Sequence, residues 1–522
     1  MLRVILDWGG RRWVLDDQTV RVVESVSLFD LSPVVPTRSL TMTLALGDVV
    51  AHCRTHHPRT ARVQIVTEDD RYVFTGLVDA IIPGRAGEAS EVRAGVTLDV
   101  ESSKIPATYD VKVRFINWKA VNRKDAKNEE YLRLGMDELY RTHQFRPITL
   151  NDTNWYLLQI DRSLVYGLRY EGRVAARVYG QPGRSGIAAT QAWILDASND
   201  ILAIAGHACK TGTVTVVGPK SGALDRLEKD SASAVLTVDN GGRTITTVDV
   251  SGLTGIANPS GGSGSDEKDW FIRWDGTASG LPNHPVDIML DLLAHMSGLD
   301  VDIASFESAR SALDGYVLDG VIDAETSAEA VLMQQILPLL PVRLTWAPNG
   351  IGLTVIDWTP DPLRSTCTLV AGVDCSPVSR VRHASADGFE VINAWTVRYS
   401  ASKRSRGFVS AVTVGPARQA DAAESLSMHG IRAGTLETSW VYSAATAGLI
   451  AQHRIATTAK DRLIVDVAVP SAVYGFGGVR ELRLGDVITY TDDDEALSGV
   501  LAMVGSIERD GSDVDVLGLV VL

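Results

Sequence analysis

Apolar positions along this chain alternate with polar ones in short runs broken by Gly, Asp and Pro, a rhythm that predicts strands. Up to residue 106 the runs are Leu2–Leu6, Arg12–Leu15, Val20–Ser25, Leu40–Leu46, Arg62–Val66, Tyr72–Ile82 and Val96–Val100. Many short strands at close spacing point to a small barrel or sandwich. A helix is expected here only over Gly47–His57.

Beyond residue 107 the pattern changes twice. Trp118–Tyr140 is charged, with Tyr131, Leu132, Leu134 and Leu139 at helix-compatible intervals. Strand-type runs return at Val174–Tyr179, Ala192–Leu195, Thr213–Val217, Ala234–Val238 and Thr244–Val250, and Pro259–Ser265 is a flexible loop by composition. Helical spacing is clearest from Leu281 to Leu344. After Pro285 the apolar stripe is Val286, Met289, Leu290, Leu293 and Met296, with Gly298 as the stop. Thr326 and Glu329 have capping-box spacing for a second helix carrying Val331, Leu332, Ile336 and Leu337, which Pro338 and Pro341 end. Strands resume at Val342–Trp346 and Gly352–Asp357.

From Val370 the strand runs are Ala394–Tyr399, Phe408–Val414, Leu463–Val469, Asp486–Tyr490, Gly499–Ile507 and Asp513–Val521. One helix, Ser443–Thr457, interrupts them and offers Leu449, Ile450 and Ile455 to a sheet. The expected fold class is therefore α+β, mainly β. Barrel-like tube domains lie at the two chain ends, 1–106 and 370–522, the second with one inserted helix. An inserted β-rich domain, 107–280, and a small α/β module, 281–369, lie between them.

The two ends share a pattern. Tyr72–Ile81 and then Gly95–Val100 have an acidic turn, a glycine near the strand start, an apolar strand, a polar reversal and a further strand. Ala496–Ile507 and then Asp513–Val521 repeat that order. Two barrels of similar build would explain it, and convergent hairpins would serve as well.

Composition narrows the classes. Hydrophobic residues at 45% and charged residues at 22% over 522 residues describe a soluble, packed chain of roughly three to four domains. A formal charge of -14 repels phosphate backbones, which disfavours specific nucleic-acid binding yet suits a wall along which DNA slides. Cys53, Cys209, Cys367 and Cys375 form no CxxC pair, so neither a disulfide framework nor a zinc ribbon is indicated; Cys367 and Cys375 could meet across a hairpin, but reduced, partly buried thiols are the expected reading. No signal-peptide pattern opens the sequence, and no stretch reaches the roughly 18 apolar residues of a membrane span. Synthesis and retention in a cytoplasm are expected.

Chemical motifs are sparse, and each has an ordinary reading. His52-Cys53-Arg54-Thr55-His56-His57 brings together zinc-ligand types, but no second cluster supplies the remaining ligands and a helix end explains it. Gly218-Pro219-Lys220-Ser221-Gly222 lacks phosphate-loop spacing and reads as a hairpin turn. Asp492-Asp493-Asp494-Glu495, Asp69-Asp70 and Asp266-Glu267 read as solvated acidic turns. Arg123-Lys124 and Lys403-Arg404-Ser405-Arg406 read as solvated basic loops. Trp118, Trp155, Trp193 and Trp270 fall in the insertion, where they would form either a sugar-stacking surface or ordinary core. No catalytic, cofactor or metal residues are assigned, and no enzyme is expected.

Three stretches resemble the hub proteins of phage tail tips, including those of long-tailed phages and gene-transfer particles. They are Val73–Val78 with its flanking strands, His284–Leu290 through Leu313–Gly320 to Leu337–Pro341, and Asn393–Tyr399 through Ser425–Gly430 and Ala444–Ala456 to Leu482–Ile488 with the final strand pair. Glu171–Gly183 also looks like a segment of some relatives. The resemblance implies a homotrimeric baseplate hub in the virion, assembled in a host bacterial cytoplasm and without cofactors. Two similar domains per chain would make a ring of six, joining a six-fold tail tube and distal tail ring to a three-fold central spike or fibre. DNA would pass through its channel without specific binding. The alternatives are a host-surface carbohydrate-binding protein acting through the insertion, a cell-wall-degrading tail protein, and a hub from a contractile system.

Overall fold

The computed structural model describes residues 2–16, 20–25, 37–44, 52, 55–57, 61–67, 72–82, 90–96, 115–116, 147–150, 153–156 and 158–159. It then describes 173–522 apart from 184–188, 197–198, 222, 239–243, 258–269, 295–300, 325, 348–349, 404–406, 476–477 and 510–513. Over these residues the chain is α+β and mainly β. The helix expected over Trp118–Tyr140 and the loop at Pro259–Ser265 lie outside them, as does most of Gly47–His57.

The first sheet contains β1 (Leu2–Trp8), β2 (Arg11–Asp16), β3 (Val20–Ser25), β4 (Thr37–Leu44), β5 (Arg62–Thr67), β6 (Tyr72–Ile82) and β7 (Ser90–Val96). Its order is β2-β1-β5-β6-β7-β4-β3. Val4, Leu6 and Trp8 are buried while Arg3, Ile5 and Asp7 are half-buried, the period-two pattern of a strand with one covered face. Gly9 and Gly10 both have positive φ between Trp8 and Arg11, the backbone a two-residue hairpin loop demands. Short strands β8 (Phe115–Ile116), β9 (Pro147–Leu150), β10 (Thr153–Tyr156) and β11 (Leu158–Gln159) follow as two pairs.

A neck then leads into a closed barrel. The neck is β12 (Arg173–Tyr179) paired antiparallel with β19 (Gly320–Ala324). The barrel comprises β13 (Thr190–Asp196), β14 (Ile201–Ala205), β15 (Gly212–Lys220), β16 (Ala223–Val238), β17 (Thr244–Asp249) and β18 (Trp270–Trp274). It closes in the order β13-β14-β17-β16-β15-β18. Leu202, Ile204, Val214, Val216, Val248, Trp270, Ile272 and Trp274 fill it. The closed barrel is thus built from β13 to β18, and the described pairings of the two terminal sheets form open orders.

Helices α1 (Pro285–Ala294), α2 (Ile303–Leu313) and α3 (Ala328–Val331) pack beside the hairpin of β20 (Val342–Ala347) and β21 (Gly350–Val355). Val286, Ile288, Met289, Leu292 and Leu293 of α1 are buried, close to the expected stripe; Met296 and Gly298 lie outside the described residues. Ser327, one residue later than expected, caps α3 by accepting from the Ala330 N–H. The turn continues as a wider π segment, Leu332–Ile336. Helix α2 was not expected: it buries only Phe306, Ala309 and Leu313, and its serines and charges obscure the stripe.

The remaining elements are β22 (Ser365–Val370), β23 (Ser376–Pro377), β24 (Arg382–His383), β25 (Ala394–Ser402), β26 (Gly407–Val414), α4 (Ala420–His429) and β27 (Ala433–Glu437). After them come α5 (Ala444–Thr458), β28 (Leu463–Pro470), α6 (Ser471–Tyr474), β29 (Val487–Asp492), β30 (Leu497–Arg509) and β31 (Val514–Val521). The second terminal sheet runs β22-β29-β30-β31-β28-β23, with β24 also on β28. Helix α5 starts at its Ser443 cap and buries Ile450 and Ile455 as expected; α4, which buries only Ala422 and Ser425, was not expected. A three-stranded sheet, β26-β25-β27, shares one core with α5, α1–α3 and the β20–β21 hairpin, so this core takes residues from both sides of position 370.

Ser400 in β25 sits fully buried at φ 61 with an unpartnered hydroxyl. A left-handed backbone at a residue with a Cβ is strained. Ser400→Gly should therefore raise stability by about 1 kcal/mol, read as a higher urea midpoint at unchanged slope.

Candidate functional site

The terminal sheets contain the same four-strand unit. Strands β4, β5, β6 and β7 are arranged β5-β6-β7-β4, and β28, β29, β30 and β31 are arranged β29-β30-β31-β28, every neighbouring pair antiparallel. Their registers correspond. Arg62 faces Leu77 as Val487 faces Met503. Leu77 faces Gly95 as Met503 faces Val520, and Leu40 faces Ala94 as Val465 faces Leu519. The third strand slips its register at the same step, between Val78 and Ala80 and between Val504 and Ser506. Backbone between the first and second strands is helical in both, at His52 and at α6. Chance hairpins would not share a register across four strands and a bulge within it, because each is set independently by side-chain pattern and turn geometry. Within the chain, β3 lies against β30, which makes the two units neighbours.

The neck is tied to the helical module by polar groups. Arg177 grips Asp291 of α1 through Nη2 to Oδ2 at 2.7 Å and Nε to Oδ2 at 3.0 Å, and the Tyr179 hydroxyl donates to the same carboxylate. Burial, then the Asp291 charge, pushes the Tyr179 phenol far above its ordinary pKa, so it stays a donor. Asp319, fully buried, accepts from the Gln181 N–H at 2.8 Å and from Asn283 Nδ2 at 3.0 Å. The Tyr179 ring lies 5.5 Å from Trp440, and Trp440 donates from Nε1 to Gln335 Oε1 at 2.9 Å.

The histidine cluster is packing. His52 Nε2 hydrogen-bonds the Trp8 carbonyl at 3.1 Å, its ring lies edge-on to Trp8 and Trp13, and His56 stacks on it at 4.2 Å. Cys53 lies outside the described residues. Among the described residues no three His, Cys, Asp or Glu side chains converge as metal ligands. Gly218–Ser221 belongs to the β15–β16 hairpin, where Lys220 faces Ala223. Asp492 is buried and accepts from the Tyr490 hydroxyl and the Asp494 and Glu495 N–H groups, so this acidic run caps its own turn. Lys403 pairs with Asp323 at 2.6 Å. Asp69-Asp70, Arg123-Lys124, Asp266-Glu267 and Arg404–Arg406 lie outside the described residues.

Trp270 is buried in the barrel core, away from any sugar-facing surface; the side chains of Trp118, Trp155 and Trp193 lie outside those described. Cys209, Cys367 and Cys375 are free thiols, and burial pushes Cys209 and Cys375 up to about 11, protonated and unreactive at neutral pH.

A cavity of about 610 Å³ opens where α5 meets the segment after β21, lined by Tyr316, Ile356, Trp358, Leu449, His453 and Arg462 among others. Its carboxylates are already paired, Asp357 with Arg364 at 3.0 Å and Asp421 with Lys460 at 2.9 Å. Arg462 stacks on Trp358 and donates to the Ala456 and Thr457 carbonyls at the end of α5. These groups assemble no nucleophile with a base. Desolvation, with Arg343 and Arg454 adding repulsion, lowers the His453 pKa to about 3. The folded chain thus refuses a proton that the unfolded chain accepts near pH 6.5, so this residue's stability contribution is complete above that pH and lost as pH falls towards 3. His453→Gln should remove a slope of about 1.4 kcal/mol per pH unit from the acid side of the stability profile, measured by urea titrations between pH 4 and 7.

No family model matches the chain, and no curated protein matches it. Solved structures do. The chain is similar to the 43 kDa tail protein of prophage MuSo2 from Shewanella oneidensis, with 9% identity, TM-score 0.34, and coverage of 99% of this chain and 98% of that one. It is similar to a tail protein from Neisseria meningitidis MC58, with 10% identity, TM-score 0.38, and coverage of 99% and 96%. A chain of the native gene transfer agent virion shares 13% identity at TM-score 0.38 over 67% of this chain and 85% of that one. Values this low leave the functional reading to the geometry of the chain itself. Among the described residues no helix is long and apolar enough to cross a membrane.

Proposed function

We propose that the chain is a structural component of a phage-type tail tip: a homotrimeric baseplate hub, resident in the virion and assembled in the host bacterial cytoplasm. The observation that carries this reading is the four-strand unit repeated in matching register at the two ends. Three chains would present six such units, which suits a six-fold tail tube and distal tail ring above while the chains themselves keep three-fold order for a spike or fibre below. The acidic balance suits a channel wall that DNA passes without binding. The reading assigns no catalysis. Trp270 inside the barrel supports it over a sugar-stacking surface.

Light scattering on the purified chain, with negative-stain images of the same sample, should give three times the 56.2 kDa chain mass and open rings of six-lobed outline. A protein that stays monomeric, and is also absent from purified tails, would sink the proposal.

A further inference from the structure

We propose that the free edge of β26 is a docking strand, to which an extended segment of a different tail chain adds as a fourth strand beside Gly407–Val414. This rests on the tail reading.

Strand β26 ends the order β26-β25-β27 and runs along β25 without a register shift, from Trp395↔Val414 to Ser402↔Gly407. On such a strand the N–H and C=O groups of alternate residues point away from the partner strand. Among the described residues no backbone group beyond the sheet ladder bonds to them.

Exposed edges invite pairing, and proteins blunt them with charges, proline, bulges or short length. The edges of the terminal sheets are blunted in these ways. Strand β2 contains Arg11, Arg12 and Asp16, and β3 contains Arg21 and Glu24. Strand β22 breaks register between Ser365 and Thr368, and β23 is two residues long and ends at Pro377. Strand β26 has none of these devices: Gly-Phe-Val-Ser-Ala-Val-Thr-Val is uncharged, free of proline and eight residues long. Val409, Ala411 and Thr413 present exposed side chains on the face turned away from α5.

The same features describe the occupant. An uncharged edge matches an uncharged, β-branched strand. Lys403 is already paired with Asp323, but Arg404 and Arg406 precede the edge in sequence and Arg418 follows it, which favours acidic flanks on the incoming segment. A second copy pairing through the same edge would create a two-fold contact that a three-fold ring lacks, between chains of formal charge -14.

Hydrogen–deuterium exchange on the dilute chain and on purified tails tests this, with Val409→Lys as the variant. Val409 is 61% exposed, so the variant should keep the thermal midpoint of the parent. Expected are fast alternate amides over 407–414 in the free chain, slowed on the order of tenfold in tails, and loss of Val409→Lys from tails. Absence of the parent chain from tails overturns the tail reading itself. The docking inference alone is overturned if the parent enters tails with these amides still fast, or if Val409→Lys enters equally well. It is overturned too if the amides are slow in the dilute chain, or slow on concentrating the chain alone, when a copy is the occupant.

Discussion

Trp440→Ala should cost about 3–5 kcal/mol. Trp440 is 1% exposed, and its ring closes the joint between three parts of the chain. Tyr179 of the neck lies against it, Gln335 accepts its N–H, and Gly320 at the start of β19 faces its six-membered ring. A Cβ added at Gly320 would stand 2.1 Å from Trp440 Cε3, so the glycine exists to admit the indole. Alanine at 440 leaves a cavity that the paired strands β12 and β19 and the π segment at Gln335 are poorly placed to fill. The check is a urea titration followed by circular dichroism. Gly320→Ala should destabilise wild type but cost far less in the Trp440→Ala background, since the clash is then gone. Equal costs in both backgrounds would mean that the two residues do not meet as described.

Much of this joint was hidden in the sequence, for physical reasons. Strands were legible because one covered face leaves a period of two, as in Val4, Leu6 and Trp8. Helix α1 was legible because five of its residues enter the core; α2 and α4 were not, because two or three buried residues among serines and charges leave no stripe. The likeness of the two terminal hairpins was visible as a glycine, an apolar run and a reversal. Their shared bulge was not, since a bulge is a fact of pairing and neither Asp79 nor Gly505 announces it. The His52–His57 cluster was conspicuous for its residue types, yet contacts with Trp8 and Trp13, far away in sequence, decide what it does. Arg177 and Asp291 stood in unrelated segments and gave no signal at all. Only the fold brings them together.

Arg177→Met is expected to lose about 2–4 kcal/mol, the range for breaking one side of a largely buried ion pair when part of it still meets water. The Arg177 side chain is 12% exposed and that of Asp291 30%. Methionine keeps the apolar stem and abandons the carboxylate, to which Tyr179 still donates. Asp291→Leu should cost a similar amount by leaving the guanidinium without its anion, though the Tyr179 hydroxyl also loses its acceptor. If the pair specifies the angle of the neck more than its strength, the double variant Arg177→Met/Asp291→Leu should recover much of the loss, with a coupling of about 2 kcal/mol in the four-member cycle. A coupling under about 0.5 kcal/mol would instead assign the pair to solvent-screened surface chemistry, leaving Tyr179 and Trp440 to hold the barrel to the module. Because the pair is shielded, the single-variant losses should change little between low and high salt, whereas those of an exposed pair such as Arg398–Glu437 should shrink.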